Sequence, residues 1–230
     1  MPIYQVIHGI SLTPYQKSLL AERITVLHST EYLTPSLFVN VIFHPAEPVG
    51  DFFLAGKPYN NGATSPNRIF GTVRTGPKRT KERFDNFAKK LEAAWYEVVN
   101  GPKQAGQTNG ASGHGGELSK EDRRARKLHI VGFEGVITGI ENGVVLPSVS
   151  VCIPPLTAGS ASSMHDAPLA YVARVWATAD DQPTQADNEG TWLKDNMAFF
   201  KEQAEVYSDQ PFQDLLKELR ERPDLRKLIE

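Results

Sequence analysis

Met1-Pro2-Ile3-Tyr4-Gln5-Val6-Ile7-His8, followed by Ser11-Leu12-Thr13-Pro14-Tyr15-Gln16, is the stretch on which the fold turns. Its first eight residues are rich in β-branched and aromatic types, which suit a short strand partly covered on both faces. Pro2 fits a strand only at the first position, because it has no N–H to give the ladder. In the second segment Thr13 caps a helix, Pro14 suits the first helical position and Gln16 completes a capping box, so the helix starts at Pro14. Leu20, Ile24, Leu27 and His28 follow at i, i+4, i+7 and i+8. They share one face, which turns His28 inward or toward a cleft. Ser36 to Phe43, reading Ser-Leu-Phe-Val-Asn-Val-Ile-Phe, is a near-continuous apolar run of the kind a buried parallel strand needs. The first unit therefore reads β-α-β.

After a Gly/Pro/Asn-rich connection from Pro45 to Asn67, which holds a short apolar run at Phe52 to Leu54, the pattern begins again. Arg68 to Val73 reads as a strand. Thr80 to Val99 reads as a helix with Phe84, Phe87, Leu91, Trp95 and Val98 on one face. Leu128 to Phe133 closes the second unit. Two tandem β-α-β units predict an α/β (α+β) fold, a four-stranded sheet with both helices on one face. Residues 100–126 interrupt the second unit. Of these, Asn100 to Gly116 has a composition that cannot bury enough surface to order itself, and predicts a mobile surface insertion. Glu117 to Lys127 mixes both charge signs and reads as a solvated helical extension.

From Ser148 onward the character changes. Pro154-Pro155 and the Gly/Ser/Ala stretch to Ser163 read as irregular, Leu169 to Val175 as an apolar run, and Gly190 to Tyr207 and Pro211 to Arg220 as helices. Trp192, Met197, Phe200 and Ala204 are the candidate apolar contacts of the first of these. The chain thus divides into a first domain, 1–147, and a helical C-terminal extension, 148–230, too poor in apolar strands to form a core alone. That extension is expected to pack on the first domain or on a neighbouring subunit.

Composition removes several classes of function. With 25 basic against 27 acidic side chains in 230 residues the net charge is −2, which gives no electrostatic case for nucleic acid or an anionic membrane surface. No apolar stretch approaches the ~20 residues of a membrane span. Cys152 is the single cysteine, so no intrachain disulfide forms and a reducing, cytoplasmic setting is expected. The sequence holds no Cys-x-x-Cys, His-Glu-x-x-His, Gly-x-Ser-x-Gly or phosphate-binding Gly-rich loop. His44, His129 and His165 have no spacing that suggests a shared metal. His114, in Gly113-His114-Gly115-Gly116, falls in the low-complexity insertion.

Met1-Pro2 carries the chemical reading. A small second residue lets the initiator methionine be trimmed, and the chain then begins with a secondary amine. The reference pKa of an α-amino group is ~7.7–8.0, and burial moves it down toward the working range of a general base. A nearby carboxylate moves it the other way, making a cationic general acid.

Met-Pro-Ile-Tyr at the start, Leu12-Thr13-Pro14 opening the helix, His28 near its end and Glu141-Asn142-Gly143-Val144-Val145-Leu146-Pro147 together resemble the tautomerase superfamily, in particular the cis-3-chloroacrylic acid dehalogenase group and its fungal-type relatives. The resemblance covers Pro2 to Pro147 with a large insertion, and the tail around Trp192 is similar to extensions in those relatives. It implies that Pro2 is the catalytic N-terminal proline and that His28 helps to bind a carboxylate or orient the reacting group. Arg74 is implied as the first of two arginines gripping that carboxylate, a task suited to a planar, permanently charged fork. The second would stand three residues on, where this chain has Pro77; Lys78 or Arg79 substitutes only if the loop is rearranged. Glu141 matches the carboxylate that activates water in the dehalogenases. Their tyrosine is replaced here by Phe133, which counts against dehalogenation and leaves proline-based acid/base chemistry intact.

The resemblance further implies a homotrimer whose neighbouring subunits complete the sites, and no cofactor, since the amine moves the proton and the arginine stabilises negative charge. The expected activity is tautomerisation of a small unsaturated or enolisable carboxylate. The alternatives are a cofactor-free hydratase or hydrolytic dehalogenase, and an oligomeric binding protein that keeps the fold without the catalysis.

Overall fold

Thr13 opens the first helix as its residue type dictates: its hydroxyl accepts from the Gln16 N–H while the Gln16 side chain accepts from the Thr13 N–H, with Pro14 at the first helical position. The computed structural model describes residues 2–48, 50–59, 65–76, 78–101, 119–136, 140–141, 144–145 and 189–230. In chain order these form β1 (Ile3–His8), α1 (Pro14–Tyr32), a 3₁₀ turn (Ser36–Phe38), β2 (Asn40–Pro45), the short strands β3 (Phe53–Leu54) and β4 (Lys57–Pro58), β5 (Asn67–Val73), α2 (Lys81–Asn100), α3 (Lys120–Ala125), β6 (Leu128–Gly135), β7 (Ile140–Glu141), β8 (Val144–Val145), α4 (Glu189–Glu205), α5 (Gln210–Glu221) and α6 (Pro223–Ile229).

The main sheet has four strands in the order β2-β1-β5-β6. β1 runs parallel to β2, with Ile3 opposite Asn40, and antiparallel to β5, with Ile3 opposite Thr72; β5 runs parallel to β6. Each half is a right-sized β-α-β unit, and the two meet along β1 and β5. One sheet face carries Tyr4, Val6, Ile69 and Val73 into a core with Leu20 and Ile24 of α1 and Phe87, Leu91 and Trp95 of α2. Each such side chain, fully buried, contributes roughly 1.5–3 kcal/mol. On the opposite face Ile3, Ile42 and Ile130 stay 39%, 44% and 44% exposed.

One expected element takes a different form in the structure. Ser36 to Phe43 is expected as a single buried strand, whereas Ser36–Phe38 is a 3₁₀ turn and the strand begins at Asn40 on the sheet edge. Packing decides this against strand propensity. Phe38 is buried in a second apolar cluster with Leu193, Phe200, Phe212, Leu215, Leu219 and Leu225 from α4, α5 and α6, and its ring meets Trp192 at 5.2 Å. α6 is a helix the sequence reading lacks. α3 buries none of its residues, as its mixed charge requires. Of the expected insertion at 100–126, residues 102–118 lie outside the described residues, as do the runs at 148–163 and 169–175.

The C-terminal helices are tied to the first part of the chain by polar contacts too. The Glu218 carboxylate accepts from both the Ser36 N–H and the Ser36 hydroxyl, each at 2.9 Å. Arg222 is held by Glu218 at 2.8 Å and Asp224 at 2.6 Å, and reaches the Ser29 hydroxyl at 2.5 Å. Ser29 lies on the last turns of α1, beside His28.

Candidate active site

β1 fixes the place of Pro2. The residue is buried, and its carbonyl accepts from the Asn40 N–H at 3.0 Å. Alternation along a strand gives Pro2 the same parity as Tyr4 and Val6, the residues that face the helices, with about 6.6 Å from Pro2 to Tyr4 along the strand. Ile3 pairs with Thr72, so one further step in that antiparallel register sets Pro2 beside Val73, with Arg74 next along the chain.

Tyr4 crosses from the sheet to α1. Its hydroxyl donates to His28 Nδ1 at 2.7 Å, and both residues are fully buried. Burial pushes the Tyr4 phenol well above its ordinary range, so it keeps its proton. Burial, then the Arg79 and Arg74 guanidiniums, hold His28 well below the usual histidine range, so the ring is neutral. A buried Tyr4 O–H whose described partner is Nδ1 donates there, which leaves the His28 proton on Nε2. That Nε2 atom is buried and has no hydrogen-bond partner among the described residues.

Gly71 makes this geometry fit. It lies opposite Tyr4 on β5 and opposite Phe133 on β6, and a Cβ there would stand 2.8 Å from Tyr4 Cε1 and 3.0 Å from Phe133 Cδ1. Phe133 packs against Phe84 and Phe87, with ring centroids at 5.1 and 5.9 Å.

Arg74 and Arg79 are 4% and 7% exposed. Arg79 Nη1 donates to the Arg74 carbonyl at 3.2 Å, and its guanidinium lies 4.6 Å from the Tyr32 ring centroid. Lys78 is exposed, and its carbonyl accepts from Arg83 at 3.1 Å. The loop that carries Pro77 in the sequence thus returns Arg79, rather than Lys78, to the buried side near Arg74. Glu141 pairs with Val144 in the β7–β8 hairpin, and its side chain lies outside the described part of the structure.

Tyr32 is the neighbour the sequence reading misses. It is 5% exposed, its ring centroid lies 4.8 Å from that of His28, and its hydroxyl is buried without a hydrogen-bond partner among the described residues. The signal for it was present: the ladder Leu20, Ile24, His28 reaches Tyr32 at the next i+4 step.

Residues 1–128 match the family described as "Putative oxalocrotonate tautomerase enzyme". No curated protein matches the chain. Among solved structures, a member of the cis-3-chloroacrylic acid dehalogenase family called N1 is similar at 19% identity, covering 64% of this chain and 84% of its own, with a TM-score of 0.43. MIF2 of Leishmania major is 16% identical over 63% of this chain and 97% of its own, at a TM-score of 0.41. A wild-type fused 4-OT described as a symmetric trimer is 16% identical over 62% of this chain and 94% of its own, at a TM-score of 0.40.

Proposed function

The chain belongs to the oxalocrotonate tautomerase family, within the tautomerase superfamily of enzymes, and from that premise we propose that it is a tautomerase whose working group is the secondary amine of Pro2, freed by removal of Met1. The substrate is a small enolisable carboxylate. Pro2 takes the proton from the enol oxygen and returns it to carbon: the O–H pair becomes the carbonyl π bond, and the carbon–carbon π pair becomes the new C–H bond. Arg74 and Arg79 hold the carboxylate, a role their planar, always-charged forks suit. His28, a neutral Nε2–H donor, orients the reacting group.

The observation that carries this reading is the grouping of a buried Pro2 at the head of β1, the Tyr4–His28 pair one pleat along, and two buried guanidiniums after β5. Burial at the head of β1, with two buried guanidiniums nearby, disfavours a protonated amine, which supports Pro2 as a base. Tautomerisation is favoured over water addition because Phe133, packed among rings, offers no hydroxyl to steer a water, and the role of Glu141 is kept for that alternative. Ile3, Ile42 and Ile130, exposed among the described residues on the sheet face away from α1 and α2, support a homotrimer, and the single cysteine supports a cytoplasmic location, which imaging of the tagged chain in cells would check.

The test is phenylenolpyruvate ketonisation by the chain whose intact mass shows Met1 removed, beside Pro2→Ala. Expected is a loss of at least about a hundredfold in kcat/KM for the variant, as general acid–base groups contribute 10²–10⁴. The acidic limb of the wild-type kcat/KM profile should fall below the ~7.7 of an ordinary α-amino group. Activity indifferent to Pro2→Ala, or a mature chain that keeps Met1, sinks the reading; turnover of cis-3-chloroacrylate instead would move it to the hydrolytic class.

A further inference from the structure

We propose that the Tyr32 hydroxyl is a second oxyanion donor, which together with His28 Nε2–H binds the enol or keto oxygen of a 2-oxo acid; the proposal rests on the Pro2 reading above and adds a substrate-contacting residue to it.

The Tyr32 ring is held on every side. His28 lies at 4.8 Å, Phe87 at 5.2 Å and Phe84 at 5.6 Å between centroids, and the Arg79 and Arg83 guanidiniums lie 4.6 and 5.1 Å from the ring centre. Packing alone accounts for a ring at this position, and phenylalanine would supply it. The hydroxyl is what packing does not explain, since a buried donor left unpaired costs stability and persists only where something else uses it. His28 Nε2 is in the same situation, one helical turn earlier on the same face. The rings that carry these two buried groups, each without a partner among the described residues, are adjacent, with centroids at 4.8 Å, and lie near two buried cations.

Their chemistry selects the ligand. Burial pushes the Tyr32 phenol up to about 12, and His28 is neutral, so both offer a hydrogen and neither a charge. Neutral paired donors suit an oxygen whose charge appears only during reaction, whereas the guanidiniums suit one charged throughout. A 2-oxo acid has both oxygens. Its carboxylate goes to Arg74 and Arg79, and its 2-oxygen, which becomes an enolate when Pro2 removes the proton, goes to Tyr32 and His28.

The experiment compares wild type, Pro2→Ala and Tyr32→Phe in phenylenolpyruvate ketonisation, thermal melting and calorimetric titration with phenylpyruvate. Tyr32→Phe should lower kcat by about tenfold or more, within the range seen on removing one oxyanion donor, and change KM less than about threefold. It should melt at the wild-type temperature or above, because an unpaired hydroxyl has been removed, and it should weaken phenylpyruvate binding by about two- to threefold, in step with KM. An unchanged kcat, or a fall of several degrees in Tm that marks the hydroxyl as structural, overturns the proposal. Loss in Pro2→Ala with Tyr32→Phe intact overturns Tyr32 alone; loss in Tyr32→Phe with Pro2→Ala intact upholds Tyr32 and overturns the Pro2 reading. If the wild type turns nothing over, the phenylpyruvate titration decides: equal affinity in wild type and Tyr32→Phe, or no binding by either, overturns the proposal.

Discussion

Buried, with two guanidiniums nearby and Nδ1 taken by Tyr4, His28 folds as a neutral ring, and protonating it favours the unfolded chain. Its folded pKa lies below the value of 6.5 that it regains on unfolding, so between the two the unfolded state binds more protons. The stability His28 contributes is therefore complete above pH 6.5 and is lost as the pH falls below it. His8 is also lowered, by burial first, and adds a smaller term of the same sign. Urea midpoints should fall from pH 7 to pH 5 in the wild type and fall less in His28→Gln, whose amide oxygen still accepts from Tyr4. Equal slopes for the two chains would refute a neutral buried His28. Helical spacing turned His28 inward from the sequence alone, and strand alternation is consistent with an inward Tyr4. Their bond was not legible, because it joins residues 24 apart across two elements. That Arg79 rather than Lys78 is the buried cation was not legible, since it depends on the path of the loop rather than on residue type.

At the scale of elements, Gly71 is the point where β1, β5 and β6 share one layer. An added methyl there meets the Tyr4 and Phe133 rings at or below 3.0 Å, and both rings are packed against others that cannot retreat far. Gly71→Ala should destabilise by about 1–3 kcal/mol, the usual cost of overpacking, and should lower activity by shifting Tyr4 off His28. Denaturation and the ketonisation assay check the two effects; a variant of wild-type stability would mean that the layer yields freely. Most elements were legible because their signals are local. Thr13-Pro14 and Thr80 set the helix starts, and apolar spacing set the buried faces of α1 and α2. The turn at Ser36–Phe38 was not, because its cause is a contact with helices more than 150 residues later, as the spacing from Phe38 to Leu193 makes plain.

For the molecule as a whole, the sheet face bearing Ile3, Ile42 and Ile130 is the one turned away from α1 and α2, and among the described residues those three side chains stay exposed. A sheet face of this character ordinarily packs on another layer. If three copies supply it to one another, light scattering should give a trimer for the wild type and a smaller species for Ile42→Glu combined with Ile130→Glu; a monomeric wild type would remove the expectation. That a four-stranded sheet is backed by two helices followed from reading the two units in tandem. The way the last helices attach did not follow, since Glu218 and Arg222 look like ordinary surface charges until Ser36 and Ser29 are seen to meet them.

This attachment ties the two ends of the polypeptide into one hereditary unit. Ser36 meets the Glu218 carboxylate and Ser29 meets Arg222 only where the distal helices exist, although Ser29 also donates to the Thr34 carbonyl and Arg222 also pairs with Asp224. Across related chains Ser36 and Glu218 should change in concert, and lineages that lost the helices should be free to vary at 36 while still keeping 28.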